Sequence, residues 1–218
     1  MPEQVTIPIS FFEYAADFEV PLMRLWMDRV PIVQAVFNAL RPWNVLLDNV
    51  EAVTAGKPSE QGVNIKLPVH RSSFFFGPAG CKFVKEAADW ASAEEIIRLV
   101  QTAREALLAS SGGVISVQRT AISLHAQLKE KEFIDVLKRF ISPSIAGLHD
   151  ERMTAAATII RWQKHRLVLD SSASVANALF VRLERDFDAG VQLEEMASEL
   201  RKDEEVVFKL LDIEEVVS

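Results

Sequence analysis

The sequence predicts an α+β fold made of two pseudo-equivalent halves, each running strand, helix, antiparallel strands, helix. Together they are expected to form one continuous curved antiparallel sheet with helices on one face. Three observations predict it. Apolar residues alternate with a period of two and change phase in two long stretches, one around Tyr14 and one around Leu124. Each stretch is followed by helical apolar spacing interrupted by a proline, Pro31 or Pro143. The two stretches also stand at a constant offset: Phe12, Tyr14, Ala16 and Phe18 precede Ile122, Leu124, Ala126 and Leu128 by 110 residues. That is the mark of a long internal repeat, with halves at 1–112 and 113–218 packed as one globular unit.

The elements follow in order. Ile7, Ile9 and Phe11 share one parity and Phe12, Tyr14, Ala16, Phe18 and Val20 the other, so a bulge or a second strand is expected between them. Pro21 opens a helix, where its missing N–H costs nothing, and Pro31 kinks or restarts it before Ile32, Ala35, Val36 and Leu40. Val45 to Val53 reads as a strand, Gly56 to Ser59 as a loop, and Val63, Ile65, Leu67 and Val69 as a half-buried strand. Ser73 to Phe76 turns at Gly77–Gly80 and returns from Cys81 to Ala87. Ser92 caps the next helix in a capping box with Glu95; Ile96, Val100, Ala103 and Leu107 are its inward stripe, and Gly112–Gly113 ends it. The second half repeats this order. A strand through Leu124 leads to a helix from about Glu130 carrying Phe133, Val136, Leu137 and Phe140. Strands are expected at 154–162, 167–170 and 179–187, then a helix from Gln192 whose final turn Asp203 caps.

That element order resembles the duplicated fold of the TATA-box-binding protein, in which a curved antiparallel sheet carries helices on its convex face. The resemblance covers nearly the whole chain, includes no sequence motif, and implies a fold without implying a function. Val117 to Ile122 and Leu167 to Asp170 also resemble segments of sporadically distributed, uncharacterised bacterial proteins of similar length, which offer no activity to carry over.

Composition bounds the function. Hydrophobic residues make up 49% and charged residues 25% of the 218 positions, which is ordinary for a globular chain. The net charge of −7 is shared evenly: 10 basic against 13 acidic side chains precede Gly113, and 14 against 18 follow from it. No basic arm or tail provides an electrostatic footprint for duplex nucleic acid. With Phe12, Tyr14 and Phe18 facing the helices, Glu13, Asp17 and Glu19 line the other side and repel phosphate. Cys81 is the only cysteine, which suits a reducing compartment. Met1–Gln4 is unlike a secretory leader, and no apolar run approaches the ~20 residues of a membrane span, so a cytoplasmic protein is expected.

Catalytic and cofactor spacings are missing. Gly77–Lys82 lacks the phosphate-loop spacing and a following Ser or Thr, and reads as a turn. Cys81, beside Lys82 and Lys85, reads as a small buried hydrophobe. His70, His125, His149 and His165 form no His-x-x-x-His or His-x-His pair, and His149-Asp150-Glu151 reads as a solvated turn, so neither a metal nor a cofactor is expected. Arg161, Lys164, His165 and Arg166 around a hairpin, with Arg182 and Arg185, read as partners of Glu184, Asp186 and Asp170 in cross-strand pairs.

Two sets of residues remain. Arg119, Ser123, His125 and Gln127 lie on the polar side of the second long strand, where a small ligand or substrate would bind if they converge on a pocket. Phe74, Phe75 and Phe76 place aromatic rings on both faces of one strand, flanked by Trp43 and Trp90, and call for a cover on each face. The leading expectation is a non-catalytic scaffold that binds another protein or itself. The rivals are a ligand binder or enzyme on the sheet's polar face, and an acidic inhibitor of a basic partner.

Overall fold

The structure, a computed structural model, describes residues 2–54, 56–57, 60–141 and 157–216. The chain is an α+β protein whose halves run in the expected order. The first contains β1 (Glu3–Phe18), α1 (Arg24–Met27), α2 (Val30–Leu40), β2 (Val50–Val53), β3 (Gly62–Leu67), β4 (Ser72–Phe76), β5 (Gly80–Glu86) and α3 (Ala93–Ser111). The second contains β6 (Ile115–Leu128), α4 (Phe133–Lys138), β7 (Thr158–Trp162), β8 (His165–Ser171), β9 (Ala178–Asp188), α5 (Leu193–Leu211) and β10 (Ile213–Glu215). Strands pair in the order β2-β3-β4-β5-β1-β6-β9-β8-β7, and β10 joins β1 in parallel. No helix of the described residues is long and apolar enough to cross a membrane.

Two compact units share β1, β6, β9 and α5. One comprises residues 12–120 and 186–197, the other 1–11, 121–185 and 198–218. The predicted change of phase is visible in what β1 buries: Glu3 and Val5 near its start, then Tyr14, Ala16 and Phe18. The strand is continuous through the change. Residues 12–120 and 186–197 hold a core of Tyr14, Phe18, Ile32, Val36, Leu40, Ile65, Phe74, Phe83 and Leu107, all nearly inaccessible. In the other unit Val5, Leu124, Leu137, Leu167, Leu183, Leu200 and Leu211 are buried.

Several local expectations are corrected. Pro21 does not begin a helix; only Arg24–Met27 forms one, whereas Pro31 occupies the first turn of α2 as its fixed φ favours. The strand expected from Val45 is confined to Val50–Val53, because the Asn49 side-chain oxygen accepts the Leu46 N–H (2.9 Å) and tightens residues 47–49 into a 3₁₀ turn. Pro68 stops β3, so Val63, Ile65 and Leu67 are buried but Val69 is 68% exposed in a turn. Ser92 does not cap α3. Asp89 accepts the Ser92 N–H (2.7 Å), and Glu95 instead pairs with His70 Nδ1 (2.5 Å). Gly112 takes the left-handed conformation (φ 71°) that ends α3. Asp203 caps no final turn; it stands mid-helix and binds His165 Nε2 (3.1 Å) and Arg185 (2.9 Å). Pro143, residues 154–156 of the first expected strand of the second half, His149 and part of the Gly56–Ser59 loop lie outside the described residues.

Candidate functional site

The polar set on β6 is dispersed among separate partners. Arg119 is exposed and donates to Asp186 (2.6 Å). Ser123 is buried and accepts from Arg182 (2.9 Å), whose guanidinium also binds Glu184 (2.7 Å). Burial alone would raise the Glu184 carboxyl, but bonds from Arg182 and Arg166 outweigh it and hold the group below its ordinary value. His125 is 8% exposed, shares a hydrogen bond between Nδ1 and Ser172 Oγ (2.7 Å) and lies 5.3 Å from the Phe180 ring; burial lowers its pKa. Gln127 is exposed and donates to the Ala176 carbonyl (3.4 Å). Of the basic residues around the hairpin, Arg166 pairs across strands with Glu184 as expected and Arg182 pairs with Glu184 along its own strand, whereas His165 and Arg185 turn to Asp203 of α5, and Arg185 also to Glu199.

The aromatic set divides between two faces, as alternation along a strand requires. Phe74 and Phe76 are fully buried in the core. Phe75 points the other way and is half-buried, its ring lying over Gly62 and Gly77. A Cβ added at Gly62 would come within 2.9 Å of that ring. Trp43 is half-buried with its ring edge-on to His70 (5.4 Å), and Trp90 is half-buried in the turn before α3. Cys81 is buried, and burial pushes its thiol up to about 12, far from a nucleophile's range. Among the described residues no group of three or more His, Cys, Asp or Glu side chains is placed to hold a metal ion.

An open site does exist, at the end of the sheet, and it is built from α2 and β2. Val50 pairs with Ile65 and Ala52 with Val63, so all four side chains share a face. Ile65 and Val63 are core residues, yet Val50 is only half-buried and Ala52 is exposed. The core-facing side of the sheet is therefore only partly covered at β2, where Val50 packs against the core and Ala52 stays exposed. Above it, α2 has only Gln34 and Asn38 as polar residues. A helix apolar on all sides is normally buried on all sides. Here Ile32, Val36 and Leu40 enter the core, while Val30, Val33 and Phe37 face a groove of about 450 Å³ closed at its rim by Leu47. Among the described residues Arg29 is the one charged side chain in its lining.

Exposed apolar side chains are also concentrated in this part of the sequence. Among the described residues, half of the exposed large hydrophobics of the chain fall between residues 20 and 47: Val20, Met23, Met27, Val30, Leu46 and Leu47. The sequence reading placed Ile32, Ala35, Val36 and Leu40 on the helix's apolar spacing and gave Val33 and Phe37 no place, so it missed this region. The available signal was a surplus, more apolar positions than one buried stripe can use.

No family model matches the chain, and no curated protein matches it. Among solved structures, the chain is similar to Methanococcus jannaschii TBP at 14% identity, with 94% of this chain and 98% of that chain covered and a TM-score of 0.30. It is also similar to the rolling circle replication initiator protein from Geobacillus stearothermophilus at 11% identity, with coverage of 94% and 84% and a TM-score of 0.36. Neither likeness carries an argument about what this chain binds.

Proposed function

We propose that this protein is a non-catalytic interaction scaffold that holds another protein, or a second copy of itself, in the groove between α2 and β2. One observation supports the reading above all. The core side of a sheet and the second apolar side of a helix are left only partly covered together: Val50, Val33 and Phe37 pack against the core on one side and line an open groove on the other, with Ala52 exposed beside them. The flanking Met23 and Met27 add unbranched, adaptable apolar surface of the kind used to seat varied partners. The lone buried Cys81 suits work in a reducing, cytoplasmic setting.

A photo-crosslinking residue at position 33 tests this, with the same residue at exposed position 161 as control. Irradiation in the native host is expected to give a discrete protein adduct from position 33 and none from 161. A second expected outcome is self-association, seen by light scattering after size exclusion and abolished by Phe37→Glu. A strict monomer at high concentration with no adduct specific to position 33 would end the reading.

A further inference from the structure

We propose that the occupant of this groove is an extended, acidic and apolar segment of a partner protein, laid beside β2 as one more strand with its carboxylates toward Arg29. The inference rests on the scaffold reading above and adds the chemistry of the partner.

Three features lead to it. The first is backbone. β2 is the last strand in the order, paired with β3 on one side, so its other edge carries N–H and C=O groups that a further strand satisfies. The second is shape. A strand added there directs alternate side chains toward the side that holds Val50 and Ala52, into the space beneath Val33 and Phe37. The third is charge. Residues 20–53, from α1 through β2, carry Arg24, Arg29 and Arg41 against Asp28, Asp48 and Glu51; Glu51 is already held by Lys66 (2.6 Å), and of these six only Arg29 lines the groove. Arg24, Arg29 and Arg41, ahead of, at and behind α2, have no ion-pair partner among the described residues. Lys66, Lys82, Arg119, Arg166 and Arg182 each hold a carboxylate. An apolar, strand-edged groove whose one lining charge among the described residues is an unpaired arginine complements a segment in which Asp or Glu alternates with apolar residues.

The same charge argues against a second copy docked through β2. A two-fold pairing of this edge would place the unpaired arginines of one molecule against those of the other. An anionic lipid surface satisfies the arginines but offers no strand to the open edge of β2.

The test selects a phage-displayed random dodecapeptide library on the full-length protein, then measures synthetic consensus peptides by fluorescence anisotropy. Recovered sequences are expected to alternate apolar residues with Asp or Glu and to bind more weakly as salt rises. Arg29→Glu is expected to weaken binding about tenfold, the effect of reversing one facing charge, while Arg161→Glu, an equal change of net charge on a distant strand, leaves it unchanged. Bound peptide should slow amide hydrogen exchange at residues 50–53. The proposal is overturned if no peptide is recovered, if the peptides are neutral or basic, or if the two charge reversals act alike. Protection elsewhere than β2, or phosphatidylglycerol vesicles displacing the peptide from the groove, also overturns it. Any of these results alongside a specific adduct from position 33 removes only the partner chemistry; with no such adduct, the scaffold reading fails as well.

Discussion

Replacing Gln118 by Leu should remove the most heavily used buried side chain of residues 12–120 and 186–197 at nearly constant volume. Gln118 is fully buried. Its Oε1 accepts from Tyr14 Oη (2.8 Å) and Arg104 (2.9 Å), and its Nε2 donates toward the carbonyls of Asp188 (3.3 Å), Ala189 (2.9 Å) and Val191 (3.1 Å). The amide thus ties the turn between β9 and α5 to β1 and α3. Leucine opens no cavity, so the cost is one of stranded polar groups. Tyr14 is itself inaccessible, and its hydroxyl proton is left without an acceptor, because Arg104 (3.4 Å) can only donate to it. A buried unpaired donor costs about 1–3 kcal/mol, and the three carbonyls, two of them on exposed residues that water reaches, add roughly 1 kcal/mol. Urea unfolding followed by tryptophan fluorescence should therefore show a loss of about 2–4 kcal/mol. The double variant Tyr14→Phe, Gln118→Leu tests the cause. Deleting the stranded hydroxyl should recover about 1–2 kcal/mol of that loss, an outcome that additive single effects forbid. If Gln118→Leu unfolds within about 0.5 kcal/mol of the parent, or the double variant is no better than the single one, stranded donors are not what Gln118 prevents.

Glu3 accepts the N–H groups of Lys129, Glu130 and Lys131 at one carboxylate oxygen (2.9, 2.7 and 3.2 Å). Burial pushes its carboxyl up, but these bonds prevail and hold it below its ordinary value. A carboxyl depressed in the folded state stabilises above the unfolded value of about 4.3 and loses that contribution as pH falls through the folded value. Glu3→Gln should lower stability at neutral pH by about 2 kcal/mol and flatten the acid limb of a stability–pH curve; an unchanged acid limb would show that the amides do not favour the ionised form. Phe74→Ala should cost about 3–5 kcal/mol in the same urea assay and Phe75→Ala about 1 kcal/mol, because only the first ring is fully enclosed; equal losses would mean that Phe75 is as much a core residue as Phe74.

What was legible followed local rules. Alternation of period two located β1 and β6 and the phase change of β1, because each side chain's face follows from its own backbone. In β6 every residue from Thr120 to Ala126 is buried, so burial there follows no alternation. Pro31 and Gly112 marked a helix start and a helix end through φ alone. What was not legible depended on partners distant in sequence. Ser123 and His125 read as a wet face, yet Arg182, 59 residues on, and Ser172, 47 residues on, supply the hydrogen bonds that let them be buried. Glu95 fits a capping box until His70 competes for it, and Asp203 fits a cap until His165 and Arg185 claim it mid-helix.

The groove escaped the reading for a different reason. Periodicity tells which residues are apolar enough to be covered and is silent on whether the same chain provides the cover. Spacing assigned Ile32, Val36 and Leu40, with Ala35, to the core and gave Val33 and Phe37 no place; the structure packs those two partly against the core and leaves them in the groove's lining. The sheet ends beside them at the four-residue β2. A short edge strand is a common protection against unwanted pairing, usually reinforced by charge on the edge itself. On the face under α2 this edge presents Val50 and Ala52; the strand's own charge, Glu51, lies on the opposite face in Lys66's grasp, and the charge lining the groove is Arg29, just before α2. That placement leaves the edge able to pair and makes the pairing selective by sign, which is what a docking site requires and a protected edge avoids.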